Sequence, residues 1–244
     1  MSSKKTLALQ FVGPMQSWGF DSQFNRRNTG LMPTKSAVAG ICCAALGYSR
    51  GSGDEKVFLN SFKDVRMTAI ALPRGKNLPV RRIEDWHTVG GGYDPDNPVE
   101  RYHITVIAKD GSPRAKNGQS LAVLTHRQYL ADASFGVLLE GDAELLEKTA
   151  TALRDPKWGV WLGRKCCIPS APVLAGLRED RDEALRLLIG DRPLESFTRQ
   201  KEVENFADGR DSLPDVPTSF ATDGRSFSPR RVITLQSGQH EAVK

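Results

Sequence analysis

The order of predicted strands and helices restricts the fold of this chain more than any other feature. Apolar residues alternate over residues 7–11, which is typical of a half-buried strand. A helix follows over residues 33–47, because its apolar positions recur at three- and four-residue spacing and a glycine ends it. Residues 65–72 then have the composition of a second strand. The first part of the chain therefore predicts a strand–helix–strand unit.

The same order recurs further along the chain. The sequence predicts a strongly apolar strand over residues 133–140, a helix over residues 141–153 and a candidate fourth strand over residues 169–174. Two such units give the order β-α-β-β-α-β, which is that of a ferredoxin-like domain or an RNA-recognition motif. We therefore predict the α+β class, with a ferredoxin-like domain over residues 1–175.

A long insertion separates the two units. Residues 73–120 contain many glycines and prolines, which break any long element, and they are rich in arginine and lysine. A connection of this length is unusual in a compact domain, so we expect either a functional protrusion or a disordered segment. Alternating apolar residues over 101–108 predict one arm of a hairpin within it.

The last part of the chain has a different texture. It predicts a charged amphipathic helix over residues 178–189 and short strands near residues 197–206 and 230–235. Many prolines, aspartates and glycines lie between these elements. We therefore expect a smaller, looser, β-containing C-terminal lobe over residues 176–244, part of it disordered.

The start of the first predicted helix is a candidate anion site. A helix start leaves backbone N–H groups without partners and carries partial positive charge, so Thr34, Lys35 and Ser36 lie where a phosphate would be held. The simpler role for Thr34 or Ser36 is an N-cap, worth about 1 kcal/mol. A nucleotide-binding P-loop is excluded, because that motif needs glycine directly before the lysine, where this chain has Thr34.

The loop before this helix adds positive charge and an aromatic ring. Arg26 and Arg27 are adjacent in sequence, and we expect Trp18 to be exposed nearby. Cations beside an exposed ring suit a nucleic-acid backbone with unstacked bases. The formal charge of +5 and the pI near 9.1 suit an acidic partner as well, but they do not identify it.

Other patterns bear on cofactors and location. The four cysteines form two adjacent pairs, Cys42-Cys43 and Cys166-Cys167, rather than a C-x-x-C knuckle, and we expect Cys42 and Cys43 to be small buried hydrophobes in a reducing cytosol. No metal or other cofactor is predicted. No apolar run approaches the roughly 18 residues of a membrane span, and no signal-peptide core follows the N-terminus, so we predict a cytoplasmic protein without a membrane partner.

Six short strings occur in the same order as in a known family. They are GPMQSWG at 13–19, R-x-T at 27–29, PTKSAVAG at 33–40, DWHTV at 85–89, THRQYLADASF at 125–135 and LGRKCCIPSAP at 162–172. Together they resemble the Cas-five branch of the RAMP superfamily, in particular the CasD-type subunits of type I-E CRISPR Cascade complexes. The resemblance covers roughly residues 6–175, and nothing is carried over beyond it.

This resemblance implies a ferredoxin-like domain with an inserted β-rich thumb, which corresponds to about residues 73–120. It also implies a noncatalytic subunit, used in antiviral defence, that caps the guide RNA by binding the 5′ handle of the CRISPR RNA (crRNA). The implied partners are the crRNA, a CasC-type backbone subunit contacted through the thumb, and a CasA-type large subunit. Target DNA is reached only through the assembled complex.

The resemblance and the basic loop together give a set of predicted RNA-binding residues. By the resemblance, the helix start and the basic loop contact handle phosphates, and the DWHTV string belongs to the thumb. The set is Trp18, Arg26, Arg27, Thr34, Lys35, Ser36, Trp86, His87, Thr88, Arg127, Tyr129, Arg164 and Lys165. A solvated turn explains Arg164 and Lys165 equally well. Residues 90–118 look longer and more basic than in the family, so contacts there transfer least.

Two other functions stay open from the sequence. Some type I-C relatives cleave precursor crRNA without a metal by using Tyr, His and Lys, and this chain offers those side-chain types. They are His87, His126, Tyr129 and Lys165. Side-chain types alone are weak evidence for catalysis. In type I-E systems a separate subunit cleaves the precursor RNA, so we expect this chain not to be an enzyme. The other alternative is a protein-only adaptor, which would assemble with CasC-like and CasA-like partners without guide RNA.

Overall fold

The computed structural model describes residues 3–20, 22, 25–73, 80–89, 115–116, 119–120 and 123–239 of the chain. The strands are β1 (Lys4–Val12), β2 (Met15–Gln16), β3 (Arg26–Arg27), β4 (Arg66–Ala71), β5 (Arg81–Val89), β6 (Ala115–Lys116), β7 (Gln119–Ser120), β8 (Val123–Ala131), β9 (Ser134–Asp142), β10 (Leu174–Arg178), β11 (Arg199–Glu202), β12 (Asp211–Ser219) and β13 (Ser226–Leu235). The helices are α1 (Lys35–Leu46), α2 (Gly53–Phe62), α3 (Ala143–Arg154) and α4 (Arg181–Ile189).

A large antiparallel sheet forms the centre of this mixed α/β fold. Its seven strands have the spatial order β10-β1-β9-β4-β11-β13-β12, and each neighbouring pair is antiparallel. Helices α1, α2 and α3 pack on the face that carries Leu7 and Leu9, whereas α4 packs on the face that carries Ala8. All three side chains are fully buried. The first strand is therefore covered on both faces, not half-buried as its alternation predicts.

The ends of α1 follow from its local sequence. Thr34 is the N-cap, because its Oγ1 accepts a hydrogen bond from the backbone N–H of Ala37 at 3.3 Å. Gly47 ends the helix with a φ of 73°, a left-handed conformation that glycine adopts without strain. The predicted helix and its N-cap are confirmed.

Both predicted strand–helix–strand units are present, as β1-α1-β4 and β9-α3-β10. The last strand lies later than expected, at Leu174–Arg178 rather than at residues 169–174. Before it, the chain runs beside β1 with separate backbone hydrogen bonds, from Ser170 to Val12 and from Gln10 to Val173. These bonds hold the segment in place without forming a continuous ladder.

The C-terminal part of the chain extends the main sheet and does not form a lobe with a sheet of its own. β11 pairs with β4, so that Arg199 lies opposite Ile70, and β13 and β12 continue the sheet outwards. The boundary expected after residue 175 falls inside β10. Helix α4 confirms the predicted C-terminal helix, but the sheet pairing joins residues too distant in sequence for local patterns to reveal it.

A second, smaller sheet continues from the ends of β1 and β9. β8 lies at its centre, with β5 along one edge and the short strands β2 and β3 along the other. β5 belongs to the basic insertion, so this part of the insertion is an ordered strand. The hairpin arm predicted at residues 101–108 lies outside the described residues.

Candidate nucleic-acid interface

The predicted RNA-binding residues fall in three places: the start of α1, the hydrophobic core and the second sheet. At the start of α1, the backbone N–H of Lys35 donates to Asp215 Oδ2 at 2.8 Å. The Lys35 side chain is fully buried, and its Nζ donates to both carboxylate oxygens of Glu202 at 3.0 and 3.1 Å and to the Lys63 carbonyl at 3.0 Å. The prediction that Lys35 is available to an RNA phosphate is therefore wrong.

The anion at this helix start is supplied by the protein itself. Asp215 accepts two hydrogen bonds from Arg230, at 2.6 and 3.0 Å, and Arg230 Nη1 lies 3.5 Å from Glu202 Oε2. Burial lowers the pKa of Lys35 from its ordinary value, although Glu202 opposes this effect. Lys35 and Arg230 are thus paired with the carboxylates Glu202 and Asp215. The partial positive charge of a helix start also favours a carboxylate there.

The two hydroxyl residues at the helix start have little freedom. Thr34 is buried and uses its hydroxyl as the N-cap, which confirms the simpler of its two predicted roles. Ser36 is half-buried, and its Oγ lies 3.3 Å from Thr34 Oγ1. The start of α1 is an internal junction rather than an open anion site.

Trp18 belongs to the core. Its side chain is fully buried, and its ring centroid lies 5.1 Å from that of Phe11 and 6.3 Å from that of Phe135. The expectation of an exposed Trp18 is wrong, because the chain after β2 turns the ring inwards; the backbone N–H of Trp18 donates to Thr29 Oγ1 at 2.8 Å. This indole cannot stack on a base.

Tyr129 is also buried, two residues before the end of β8. It is 4% exposed, the Arg164 guanidinium lies 4.6 Å above its ring centroid, and its hydroxyl accepts a bond from Cys166 Sγ at 3.6 Å. Burial is the main cause that raises the pKa of Tyr129. The Tyr129 ring packs under the Arg164 guanidinium. Arg164 therefore lies between this ring and the surface, and it obstructs the direct RNA contact predicted for Tyr129.

The second sheet brings most of the remaining predicted residues together. β3 pairs in parallel with β8, so that Arg27 lies beside Arg127 and Arg26 lies beside His126. Since neighbouring residues of paired strands share a face, Arg27 and Arg127 lie on the face covered by Arg164. We call these three arginines the cationic face; Lys165, which is exposed, follows Arg164 in the same turn.

Arg164 fixes the geometry of the cationic face. Its Nη1 donates to the Gln128 carbonyl at 2.8 Å and its Nη2 to the Arg27 carbonyl at 2.6 Å, so it joins β3 to β8. Gly163 makes this approach possible: its φ is 100°, and a Cβ there would lie 1.8 Å from the Ser17 carbonyl oxygen. The GRK turn is therefore a built part of the sheet as well as a source of charge.

The opposite face of the second sheet carries an exposed aromatic ring. Trp86 is 65% exposed and lies opposite His126, with their ring centroids 4.5 Å apart. His126 is held in place by Glu84, whose Oε1 lies 2.9 Å from Nδ1. Thr88 is exposed two residues further along β5, and Arg26 adds charge beside His126. An exposed ring that packs against a neighbouring ring, with a cation on the next strand, suits a stacked base.

The groups proposed for RNA cleavage are spread along the second sheet. His87 lies opposite Thr125, whereas Tyr129 lies four residues further along β8, about 13 Å away at strand spacing. His126 points to the face opposite that of Tyr129, because the two are three residues apart in one strand. A base and an acid for one phosphate must both be within hydrogen-bond reach of it, and the strand register separates His87 and His126 from Tyr129.

Metal binding and membrane spanning have no support in the described residues. Among them, no three His, Cys, Asp or Glu side chains are grouped so that they could hold a metal ion. None of the helices in this part of the chain has the length and apolar composition needed to cross a bilayer. The cysteines are free; Cys42, Cys43 and Cys167 are buried, and Cys166 is exposed.

Local sequence patterns do not reveal the carboxylates that occupy the helix start. Glu202 and Asp215 lie far from Lys35 in sequence, in strands that the sequence did not place beside α1. No local spacing links them to the helix. The only available signal was that a buried lysine needs a buried partner, and the burial of Lys35 itself was not evident.

Comparison with known proteins identifies the family. The chain is 27% identical to the "CRISPR system Cascade subunit CasD" of Escherichia coli (strain K12) over 190 residues, which are 75% of each protein. A chain of a "CRISPR RNA-guided surveillance complex" superposes with a TM-score of 0.70 at 30% identity, over 94% of this chain and 90% of that one. A "Cas protein" crystal structure gives a TM-score of 0.61 at 29% identity, over 95% of both chains. Residues 6–233 match the CRISPR-associated protein (Cas_Cas5) family, and the chain belongs to that family.

Proposed function

We propose that the chain is a noncatalytic RNA-binding subunit of a cytoplasmic CRISPR Cascade complex. In this role it caps the guide RNA by binding the 5′ handle of the crRNA, and it contacts a CasC-type backbone subunit and a CasA-type large subunit. The family membership and the similarity to CasD and to a surveillance-complex chain support the assignment to such a complex. The second sheet supports the RNA contact.

One observation carries the RNA-binding part of the proposal. The second sheet exposes cations on both faces, and among the described residues no carboxylate forms an ion pair with Arg26, Arg27, Arg127, Arg164 or Lys165; Asp85, the cross-strand neighbour of Arg127, lies 3.6 Å from His87 Nδ1 instead. The hydrogen bonds that Arg127 and Arg164 make go to a hydroxyl and to carbonyl oxygens, which are neutral acceptors. Together with the exposed ring of Trp86, this surface suits phosphates and unstacked bases of a single strand.

The topology of the main sheet supports a ferredoxin-like core. The strands of the two strand–helix–strand units lie in the order β10-β1-β9-β4, all antiparallel. Numbered by their place in the two units, this is the order 4-1-3-2, which we assign to the β-α-β-β-α-β fold. In this proposal β5 and β8 form the base of the thumb, and the thumb contacts the neighbouring backbone subunit.

The positions of the candidate catalytic groups support a noncatalytic role. Tyr129 is buried under Arg164, and its raised pKa disfavours the phenolate that would act as a base. His126 is engaged with Glu84 and Trp86. The chain incubated with its own repeat RNA and EDTA should therefore leave the RNA intact. Defined fragments that disappear in His87→Ala or His126→Ala would contradict the noncatalytic assignment.

RNA binding by the full-length chain is the main test. Fluorescence anisotropy with labelled single-stranded handle RNA should show binding whose log K falls with log salt, by about 0.7 per phosphate contact. The variant Arg127→Ala with Lys165→Ala should bind about tenfold more weakly, because charge-assisted bonds to phosphate are lost. The matched control is Arg154→Ala with Arg186→Ala, which removes the same charge from exposed positions on α3 and α4.

The outcome separates specific contacts from overall charge. Equal weakening in the control would show that net charge alone drives binding, and absence of binding by the unmodified chain would overturn the RNA-binding role.

Purification of the tagged chain from host cells tests the assembly. Co-purification of handle-ended crRNA with CasC-like and CasA-like proteins is expected, and assembly with those proteins after nuclease treatment from the start of lysis would favour a protein-only adaptor.

A further inference from the structure

His126 lies at the centre of a row of three side chains across the second sheet. In the strand register it is opposite Trp86 of β5 on one side and Arg26 of β3 on the other. Directly paired residues share a face, so an exposed indole, an imidazole and an exposed guanidinium follow one another at a strand spacing of about 4.8 Å. The predicted RNA-binding residues include Trp86 and Arg26 but not His126.

Hydrogen bonds and ring packing fix the spacing of this row. The backbone N–H of His126 donates to the Asn25 carbonyl at 2.9 Å. Asn25 Nδ2 in turn donates to the Leu124 carbonyl at 3.3 Å, so β8 holds the chain directly before Arg26. On the other side of the row, the ring centroids of His126 and Trp86 are 4.5 Å apart. The sheet itself therefore sets the order and the separation of the three residues.

Glu84 determines which imidazole nitrogen is free. Its Oε1 lies 2.9 Å from Nδ1 of His126. An ionised carboxylate only accepts hydrogen bonds, so Nδ1 carries the proton, and Nε2 of the neutral imidazole keeps its lone pair. Within the described part of the chain Nε2 makes no hydrogen bond, and it is not among the enclosed side-chain atoms there that lack a partner. Nε2 is therefore an acceptor that a ligand can reach.

The row has the same order as the parts of one nucleotide. A base stacks on an exposed aromatic ring, and a guanidinium binds a phosphate. The ribose lies between base and phosphate, as His126 lies between Trp86 and Arg26. Its 2′-hydroxyl is a hydrogen-bond donor that RNA has and DNA lacks, and it is present whatever the base. An acceptor at the centre of the row suits this hydroxyl.

We propose that His126 Nε2 accepts a hydrogen bond from the 2′-hydroxyl of the nucleotide whose base stacks on Trp86, and that this contact makes the surface selective for RNA over DNA. The inference rests on the proposed RNA-binding function and adds a specificity-determining residue to it. Glu84 is a positioning residue in this role, because it acts through the imidazole. The contact serves recognition and involves no cleavage of the strand.

The test measures fluorescence anisotropy with the full-length chain at pH 8, where an imidazole is ordinarily neutral. The probes are labelled single-stranded handle RNA and a series in which each nucleotide in turn lacks its 2′-hydroxyl. One of these substitutions should weaken binding about fivefold, as expected for one neutral hydrogen bond. His126→Phe keeps a ring against Trp86 and should bind the unsubstituted RNA about fivefold more weakly, with no further effect of that substitution.

Arg26→Ala is the matched control, because it changes the other neighbour of His126 in the row. It should weaken the binding of the unsubstituted RNA and of the sensitive 2′-deoxy RNA equally, so that their affinities still differ about fivefold. Circular dichroism melting checks that both variants fold. The series with the unmodified chain tests the proposal even if one of them does not.

Each outcome bears on a different claim. If no single 2′-deoxy substitution weakens binding by more than about twofold, this inference is overturned while RNA binding stands. A position that stays sensitive in His126→Phe would assign the 2′-hydroxyl to another residue and would also overturn it. Removal of a base amino group that weakens binding only when His126 is present, without any 2′-deoxy effect, would identify a base as the donor and contradict selectivity for RNA. No binding of RNA by the unmodified chain would overturn both proposals.

Discussion

The start of α1 and the cationic face of the second sheet look alike in sequence but differ in their surroundings. Both offer basic residues that follow a glycine, Gly30 before Lys35 and Gly163 before Arg164. At the start of α1, the cations Lys35 and Arg230 are buried and paired with Glu202 and Asp215. On the cationic face, Arg127 and Arg164 bond to hydroxyl and carbonyl oxygens, which are neutral.

The partner of a cation, more than its local motif, decides whether the cation is free to bind RNA. A buried ion is expensive to desolvate and is retained only with an opposite charge and good hydrogen bonds. A cation bonded to neutral oxygens keeps its field and can attract an anion from outside. The first region therefore serves the fold, and we propose that the second serves binding.

Replacement of Lys35 should give the largest effect on stability. Lys35→Ala leaves Glu202 with Arg230 as its remaining charged partner and opens a cavity, so we expect a loss of about 4 kcal/mol in the free energy of unfolding. Urea denaturation followed by circular dichroism measures it. Arg26→Ala, on the exposed second sheet, is the control and should change stability by no more than about 0.5 kcal/mol.

Equal losses of stability in these two variants would show that the buried ion pair contributes no more than an exposed arginine, and would contradict the structural role of the helix start. Lys35→Met separates the cost of the lost charge from that of the cavity, because it keeps most of the side-chain volume and removes the charge. Its loss of stability should stay close to that of Lys35→Ala if the lost ion pair with Glu202, rather than the cavity, is the main cost.

Removal of the Asp215 carboxylate should give the second-largest loss of stability. Asp215→Ala deprives Arg230 and the Lys35 N–H of their acceptor, with an expected cost of about 3 kcal/mol. The opened helix start then has the features of an anion site. Sulfate should therefore raise the melting temperature of Asp215→Ala more than that of the unmodified chain, since a ligand of the folded state stabilises it. Sodium chloride at equal ionic strength is the control, and equal shifts with both salts would contradict an opened site.

The sequence predicted much of the fold because its signals there are local. Thr34 and Gly47 mark the ends of α1, and the apolar strands at residues 7–11 and 133–140 follow from alternation and composition. The extension of the sheet by β11 was missed, because a short charged strand is recognised only by the neighbour it pairs with. Local propensity contains no information about such pairing.

The candidate site was predicted only in part, for the same reason. Arg26, Arg27 and Trp86 are exposed as a binding role requires, whereas Trp18 and Lys35 are buried. A tryptophan after a glycine–proline turn gives no sign of which way its ring points, and the direction of this ring depends on Phe11 and Phe135. Burial of this kind is a property of the assembled core and not of the motif.

The N-cap contributes a smaller amount of stability, which distinguishes the two hydroxyl residues of the helix start. Thr34→Ala removes the bond to the Ala37 N–H and should cost about 1 kcal/mol. Ser36→Ala should cost less than about 0.5 kcal/mol, because its hydroxyl contacts only that of Thr34 among the described residues. Urea denaturation measures both. If RNA binding also stays unchanged in both variants, the helix start is structural; a marked loss of RNA affinity in Ser36→Ala alone would return it to the interface.

The smallest expected effect is the pH dependence of stability caused by Tyr129, the buried residue beneath Arg164 of the cationic face. Its pKa is raised in the folded protein, mainly by burial, so the folded state holds the phenol proton more tightly than the unfolded state does. The contribution of this group to stability is therefore complete below the unfolded value near 10 and is lost as the pH rises through the folded value. The unmodified chain should lose more stability than Tyr129→Phe between pH 9 and pH 11 in urea denaturation. Equal losses would mean that Tyr129 is solvated, and the cationic face would then be an open surface rather than one built on a buried ring.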